Sequence, residues 1–150
     1  MLEQEKNITV NKKAEFLYFI EQRLEAGISL VGTEVKSLRQ NNANLTDGYA
    51  VIRDGEVWLM GAHIGKYDHG NIFNHEPVRK RKLLLKKSEI RKLKIKIDEK
   101  GYTLIPLRLY FKEGKIKVEL GLARGKKSFD KRDSIAKKDL QRDMERNFKV

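Results

Sequence analysis

The sequence contains no cysteine. Disulfides, thiolate nucleophiles, zinc knuckles and iron–sulfur clusters are thereby excluded, and the absence fits a reducing compartment, so a cytoplasmic location is expected. Long apolar runs are also missing. The longest, Phe16 to Ile20, is five residues, where a membrane-spanning helix needs roughly 20. The opening stretch MLEQEKN carries two acids and no apolar centre, so a secretory signal is not expected there. A Gly-rich phosphate loop is lacking: Gly125-Lys126-Lys127 has neither the upstream glycine nor the hydroxyl. His63, His69 and His75 follow one another at intervals of six on no regular helix face, and a metal site there would need the loop between them to wrap. Asp98-Glu99 sits at a helix end or turn, where solvation explains it, and neither Ser128 nor Ser134 has a histidine close in sequence. Nothing in this inventory calls for catalysis, a metal or a cofactor, and none is expected.

What the sequence does have is positive charge, concentrated in two places. The chain of 150 residues carries a formal net charge of +12. Residues 1–78 contain more acids than bases, whereas residues 79–96 hold ten bases and one acid, and residues 124–150 hold ten and five. Ten like charges in eighteen residues repel one another, and solubility would be served as well by mixed signs. The block therefore predicts a face that binds a polyanion. Residues 88–100 contain no aromatic side chain to sit at a lipid interface, which favours nucleic acid over a membrane surface.

Hydrophobic patterning supplies the frame. Residues 14–32 are rich in aromatic and β-branched residues and predict two strand pieces separated by a kink at Glu25-Ala26-Gly27, although Phe16–Leu24 also fits a helix. Thr33 is placed to cap a short helix, EVKSLRQ. Asp54-Gly55 between two apolar runs predicts a hairpin with a type I′ turn within residues 48–64. Residues 65–77 read as a long loop. Ser88 and Glu89 open a helix with Ile90, Leu93 and Ile97 on one side, and Gly101 ends it. A second hairpin turns at Lys112-Glu113-Gly114. Ile105, Leu107, Leu109 and Phe111 on one arm, and Ile116, Val118, Leu120 and Leu122 on the other, alternate with other residues. After Lys127 the pattern fails, leaving a tail with a narrow stripe of Ala136, Leu140, Met144 and Phe148, too weak to hold a helix alone in water.

Several strands, a helix, then two more strands is the order of an OB-fold. The expectation is thus a mainly β protein: an OB-fold-like antiparallel β-barrel of about five strands, with about three short helices and a C-terminal tail. Residues 1–128 would form the RNA-binding domain. Residues 129–150 would form a flexible basic tail, helical when bound.

Four segments carry a more specific signal: GTEVKSLR (32–39), EPVRKRKLLLKKSEI (76–90), GYTLIPLRLYF (101–111) and LARGKKSFDKR (122–132). In this order they closely resemble the SsrA-binding protein (SmpB) family over about residues 8–132. The resemblance implies a non-enzymatic adaptor for transfer-messenger RNA (tmRNA) in trans-translation, the rescue of stalled ribosomes. It implies that the barrel binds the tRNA-like domain of that RNA. It also implies that the tail probes the decoding centre and the empty mRNA channel. No membrane partner is implied, and the protein would be a monomer on its RNA.

Site residues follow by matching positions. Glu25 matches the family's RNA-contacting glutamate; a carboxylate in a basic RNA site is costly unless it accepts hydrogen bonds from a base edge, such as the Watson–Crick edge of a guanine. The alternative for Glu25 is a structural role at the strand kink. Lys82 and Lys117 match basic positions that would meet phosphate. Leu84 matches an apolar position used against RNA, with helix packing as its alternative. Lys86 stands where the family often has His or Asn, and lysine offers charge but neither acceptor nor ring. In the tail, Lys126, Lys127, Lys131 and Arg132 match a ribosome-binding basic cluster. Phe129 would stack on a ribosomal base or fold back on the barrel, and Asp130 would orient the neighbouring cations. The rival readings are an OB-fold ribosomal or initiation-factor-like protein and, from another class, a hydrolase or nuclease on the same barrel. The lack of clustered carboxylates and histidines speaks against the last.

Overall fold

A computed structural model describes residues 5–69 and 73–127. In chain order its elements are β1 (Lys6–Val10), α1 (Ala14–Leu17), β2 (Tyr18–Ile28), α2 (Gly32–Arg39), β3 (Ala43–Asn44), β4 (Tyr49–Arg53), β5 (Glu56–Met60), β6 (His63–Ile64), β7 (Arg81–Leu84), α3 (Lys87–Lys100), β8 (Thr103–Lys112) and β9 (Lys115–Gly125). Strands β8, β4, β5, β7, β2 and β9 pair in that order, and β9 returns to β8. The sheet therefore closes into an antiparallel barrel, which removes the open edges that invite aggregation. β1 adds to the outer part of β8, and β3 pairs with β6.

The ring holds six strands where the sequence pattern suggested about five. The uncounted strand is β7. Its inward residues are Arg81 and Leu83, and a buried arginine breaks the apolar–polar alternation by which strands are recognised.

Both hairpins form as read. Asp54 and Gly55 have φ of 53° and 75°, and Glu113 and Gly114 have 52° and 73°. Two consecutive positive φ values define the type I′ turn, whose twist suits the flanking strands. The barrel is filled by Ala26, Leu38, Val57, Leu59, Leu83, Leu104, Leu109, Val118, Leu120 and Leu122, among others. α3 lies across it with Ile90 and Leu93 inward. Its first turn is held by the Glu89 carboxylate, which accepts the Lys86 N–H at 3.1 Å. It stops at Gly101, whose φ of 67° is left-handed.

Three local expectations change. Residues 18–28 form one continuous strand with no kink at Glu25-Ala26-Gly27; the irregularity is a bulge between Ile20 and Gln22. Thr33 does not cap α2. Val31 is the cap residue, and its N–H is taken by the Glu34 carboxylate at 2.9 Å. The β8 face also switches. A bulge between Pro106 and Arg108 sends Ile105 and Leu107 to a small outer cluster with Ala14 and Ala123, while Leu109 remains in the barrel core. Leu107 lies over Gly121, where a Cβ would stand 3.1 Å from Leu107 Cδ1.

Candidate nucleic-acid interface

Because side chains alternate along a strand, each wall residue flanked by core residues points outward. On β2 the inward Ala26 puts Glu25 and Gly27 outside. On β9 the inward Val118 puts Lys117 outside, and on β7 the inward Leu83 puts Lys82 and Leu84 outside. Gly27 is the cross-strand partner of both Leu84 and Lys117. Leu84, Gly27 and Lys117 thus form one row across three strands, and Glu25 is two residues along from Gly27. Gly27 is what keeps the row flat: a Cβ there would sit 3.2 Å from Leu84 Cβ. Leu84 is 53% exposed, so it is a surface leucine and not a helix-packing one. Lys86 is exposed at the head of α3, two residues beyond Leu84. Three of the sequence-matched residues, Glu25, Leu84 and Lys117, are therefore brought into one strip, with Lys82 adjoining it on β7 and Lys86 at the head of α3.

Glu25 is held in place. Lys112 donates to its carboxylate at 3.1 Å, and the Tyr110 hydroxyl also donates to it. Burial pushes the Glu25 carboxyl up, but these bonds outweigh it, and the group sits below its ordinary value. It is an anion with spare acceptor capacity, as recognition of a base edge needs. Tyr110 is itself buried, with the Arg108 guanidinium 3.9 Å above its ring. Burial and the Glu25 charge push its hydroxyl well above the usual tyrosine value, so it stays a donor. Arg108 in turn bonds Glu119 at 2.9 Å, Asn7 at 2.8 Å and Glu5 at 2.7 Å.

The basic block does not act as one phosphate-binding face. Arg79 and Arg81 both bind the Glu34 carboxylate, and neither Arg81 nor Glu34 is exposed. Arg81 also donates to the carbonyls of Ala62 and Pro77, both at 3.0 Å. Burial raises the Glu34 pKa, but the bonds from Arg79, the Val31 N–H and Arg81 overcome this and leave it below the usual carboxylate value. Lys82 bonds Glu56 at 2.8 Å with both side chains about half exposed. Such a surface pair is worth only ~0–1 kcal/mol, so Lys82 can exchange it for a phosphate.

The sequence reading missed Gly27, Trp58, Arg108, Tyr110 and Lys112. Gly27 had been grouped into a kink and its value lies in the close approach of Leu84. Trp58 faces outward as the cross-strand partner of Lys82, with Lys80 Nζ 5.1 Å from its ring centre.

His75 is structural. Its Nε2 donates to the Ile64 carbonyl at 2.8 Å, which leaves Nδ1 to accept the Thr33 hydroxyl at 2.8 Å. Among the described residues no group of three or more His, Asp or Glu is placed to hold a metal ion, and no helix is long and apolar enough to cross a membrane.

Lys126 lies against the start of β2. Its N–H donates to the Leu17 carbonyl at 2.9 Å, its Nζ to the Glu15 carbonyl at 2.7 Å, and Nζ is 4.9 Å from the Phe19 ring centre. Lys127 is exposed. Phe129, Asp130, Lys131 and Arg132 lie outside the described residues.

Comparison with known proteins gives a consistent result. The family model described as "SmpB protein" matches residues 8–150. An SsrA-binding protein of Geobacter metallireducens is 61% identical over 140 residues, covering 93% of this chain and 92% of its own length. One of Acetivibrio thermocellus is 53% identical over 150 residues, covering 99% and 97%. A chain in a solved structure described as "tmRNA-SmpB: a journey to the center of the bacterial ribosome" superposes with a TM-score of 0.69 at 47% identity, covering 85% of this chain and 93% of that one.

Proposed function

The chain belongs to the SmpB protein family, and from that membership we propose its function: it is a tmRNA-binding adaptor that delivers tmRNA to stalled ribosomes in trans-translation. The barrel, within residues 1–128, takes the tRNA-like domain of the RNA. Residues 129–150 act separately, as a basic tail that probes the decoding centre and the empty mRNA channel through Phe129, Lys131 and Arg132, with Asp130 orienting the cations and with Lys126 and Lys127 adding to the ribosome-binding cluster from the end of the barrel. The adaptor works by binding and delivery, not by chemistry on the RNA, as a monomer on its RNA and in the cytoplasm.

The observation that carries this reading is the strip of Glu25, Gly27, Leu84 and Lys117 on the outside of a closed barrel. It offers an anchored anion for base-edge donors, a flat apolar patch for a base or sugar face, and a cation for phosphate. That combination reads an unstacked RNA loop better than a uniform duplex. Lys82 and Lys86 flank the strip as further phosphate contacts.

The test uses the full chain with labelled tmRNA and, separately, an unrelated structured RNA of equal length, at several salt concentrations and with divalent metal present. The expected result is tight binding that favours tmRNA and leaves it intact. Equal affinity for both RNAs would favour a general ribosomal or initiation-factor-like OB protein, and cleavage of the RNA would replace the adaptor with a nuclease.

A further inference from the structure

Near the end of β2 the outer wall opens into a cavity of about 410 Å³. Gly27, Leu84 and Lys117 are part of its lining, so the strip described above continues into it. From α2 it receives Val35 and Arg39, one helical turn apart on one face. From the β8–β9 hairpin it receives the cross-strand pair Phe111 and Ile116, and Lys115 from just after the turn. Phe111, Ile116 and Leu30 pack from behind on the barrel core and stay half-buried. They form an apolar floor, while Arg39 and Lys115 are exposed at the rim. The charge of the cavity is of one sign: three cations line it and no carboxylate does. Three other surface cavities differ, since Glu89 lines one, Asp98 another, and Asp54 with Glu56 a third. Lys117 stands close enough to Glu25 to help hold its pKa down. Arg39 and Lys115 have no ion pair or side-chain hydrogen bond among the described residues.

We propose that this cavity takes one unstacked nucleotide of tmRNA, with its base on the apolar floor and its flanking phosphates held by Arg39 and Lys115. The inference rests on the tmRNA-binding reading above and extends that site from the strip to α2 and the β8–β9 turn. A nucleotide joins a flat apolar base to an anion, and the cavity joins an apolar floor to a cationic rim. Its volume lies in the range of about 300–1,000 Å³ over which sites enclose a small molecule. A docked helix would need a longer groove, with anchor positions spread over two turns. An unstacked nucleotide is also the form in which RNA loops present their bases to proteins. The last turn of α2 favours any cation through the helix dipole, and Lys36 answers that need as well as Arg39 does. Of the two, Arg39 is the one that lines the cavity.

The test uses the full chain carrying both R39Q and K115Q, beside two single variants. K36Q removes a cation from the same turn of α2 but not from the cavity, and V35F fills the cavity without changing its charge. Circular dichroism and urea unfolding establish that each folds, and each is titrated with tmRNA at several salt concentrations. The double variant is expected to bind at least tenfold more weakly, with a salt slope lower by about 1.4, as for two phosphate contacts to a single strand. V35F is expected to bind about tenfold more weakly at an unchanged slope, and K36Q to move the slope by less than about 0.5. Should V35F not fold, chemical probing of unpaired bases replaces it: the unsubstituted chain shields at least one base that the double variant leaves reactive. Unchanged tmRNA binding by the double variant, an equal loss in K36Q, or full affinity in V35F overturns the proposal, as does probing that finds no such base. A loss confined to ribosome binding by the preformed tmRNA complex gives the cavity to another partner and overturns it too. K117A keeps the two readings apart: if it weakens tmRNA binding while the cavity variants do not, the proposed function stands without the cavity. Failure of the unsubstituted chain to bind tmRNA would instead remove the proposed function.

Discussion

The Glu34 carboxylate of α2 and the Arg81 guanidinium of β7 meet directly, and neither side chain is exposed to solvent. The pair ties the helix that follows β2 to the strand that presents Lys82 and Leu84. Arg79 binds the same carboxylate from the other side.

Removing one partner of such a pair leaves a buried charge uncompensated, a loss of about 3–5 kcal/mol. Glu34→Ala is therefore expected to lower the urea midpoint sharply and to weaken RNA binding by displacing β7. Lys117→Ala, on the outer wall, is expected to weaken RNA binding with the midpoint nearly unchanged. Equal midpoints for the two variants would show that the Glu34–Arg81 pair does not hold the fold.

The same carboxylate predicts the acid response. Its pKa is below the ordinary value in the folded chain, so the unfolded chain binds the proton more tightly. The stabilisation is complete above the unfolded carboxylate pKa, about 4.3, and is lost as pH falls through the folded value. Glu25 and Glu119 are shifted in the same direction and add to the effect. Urea unfolding between pH 6 and pH 2 should show stability falling with acid, and falling less steeply in Glu34→Gln. Parallel curves would remove Glu34 from the linkage.

What could be read in advance was local chemistry. Asp54-Gly55 and Glu113-Gly114 specify their turns through backbone preference alone, and Gly101 stops α3 for the same reason. What could not be read depends on partners distant in sequence. An arginine in a basic run looks like an RNA contact, and nothing near Arg81 reveals that it will be buried against Glu34. The bulge at Leu107 is equally hidden, because a perfect period-2 pattern gives no sign that the ladder will gain a residue. The strip itself was half legible. Glu25, Leu84 and Lys117 were placed by resemblance, while Gly27 acquires its role only when Leu84 is laid across it.

That role makes a prediction. Gly27→Val forces Leu84 off the wall, since even a single added carbon would stand 3.2 Å from Leu84 Cβ. The loss of tmRNA affinity should match that of Leu84→Ala, and the double variant should lose little more, as expected for two changes to one contact. Full additivity in a filter-binding cycle would mean that the two residues meet RNA independently.

Lys82 is paired with Glu56 at 2.8 Å, and on the proposed function this pair opens when Lys82 meets phosphate. Glu56→Gln frees it and removes a carboxylate from the RNA face, so tmRNA affinity should rise about two- to fivefold, within the ~0–1 kcal/mol scale of a surface pair. Lys82→Ala should reduce the salt slope by about one, and in that background Glu56→Gln should have little effect. A gain that persists without Lys82 would assign it to general charge.

The last prediction separates the barrel from the tail. Lys126 is anchored on the Leu17 and Glu15 carbonyls and over Phe19, so the chain is fastened to the barrel immediately before the basic cluster that continues through Lys131 and Arg132. Deleting residues 129–150 removes none of the residues of the strip and leaves this fastening in place. Affinity for tmRNA should then stay within about twofold, a small part of the 1.4 kcal/mol that a tenfold change represents. Tagging of peptides on stalled ribosomes should be abolished, because the segment proposed to enter the mRNA channel is gone. Loss of tmRNA affinity in the truncated chain would show that residues 129–150 complete the RNA site, and the division at residue 128 would have to be given up.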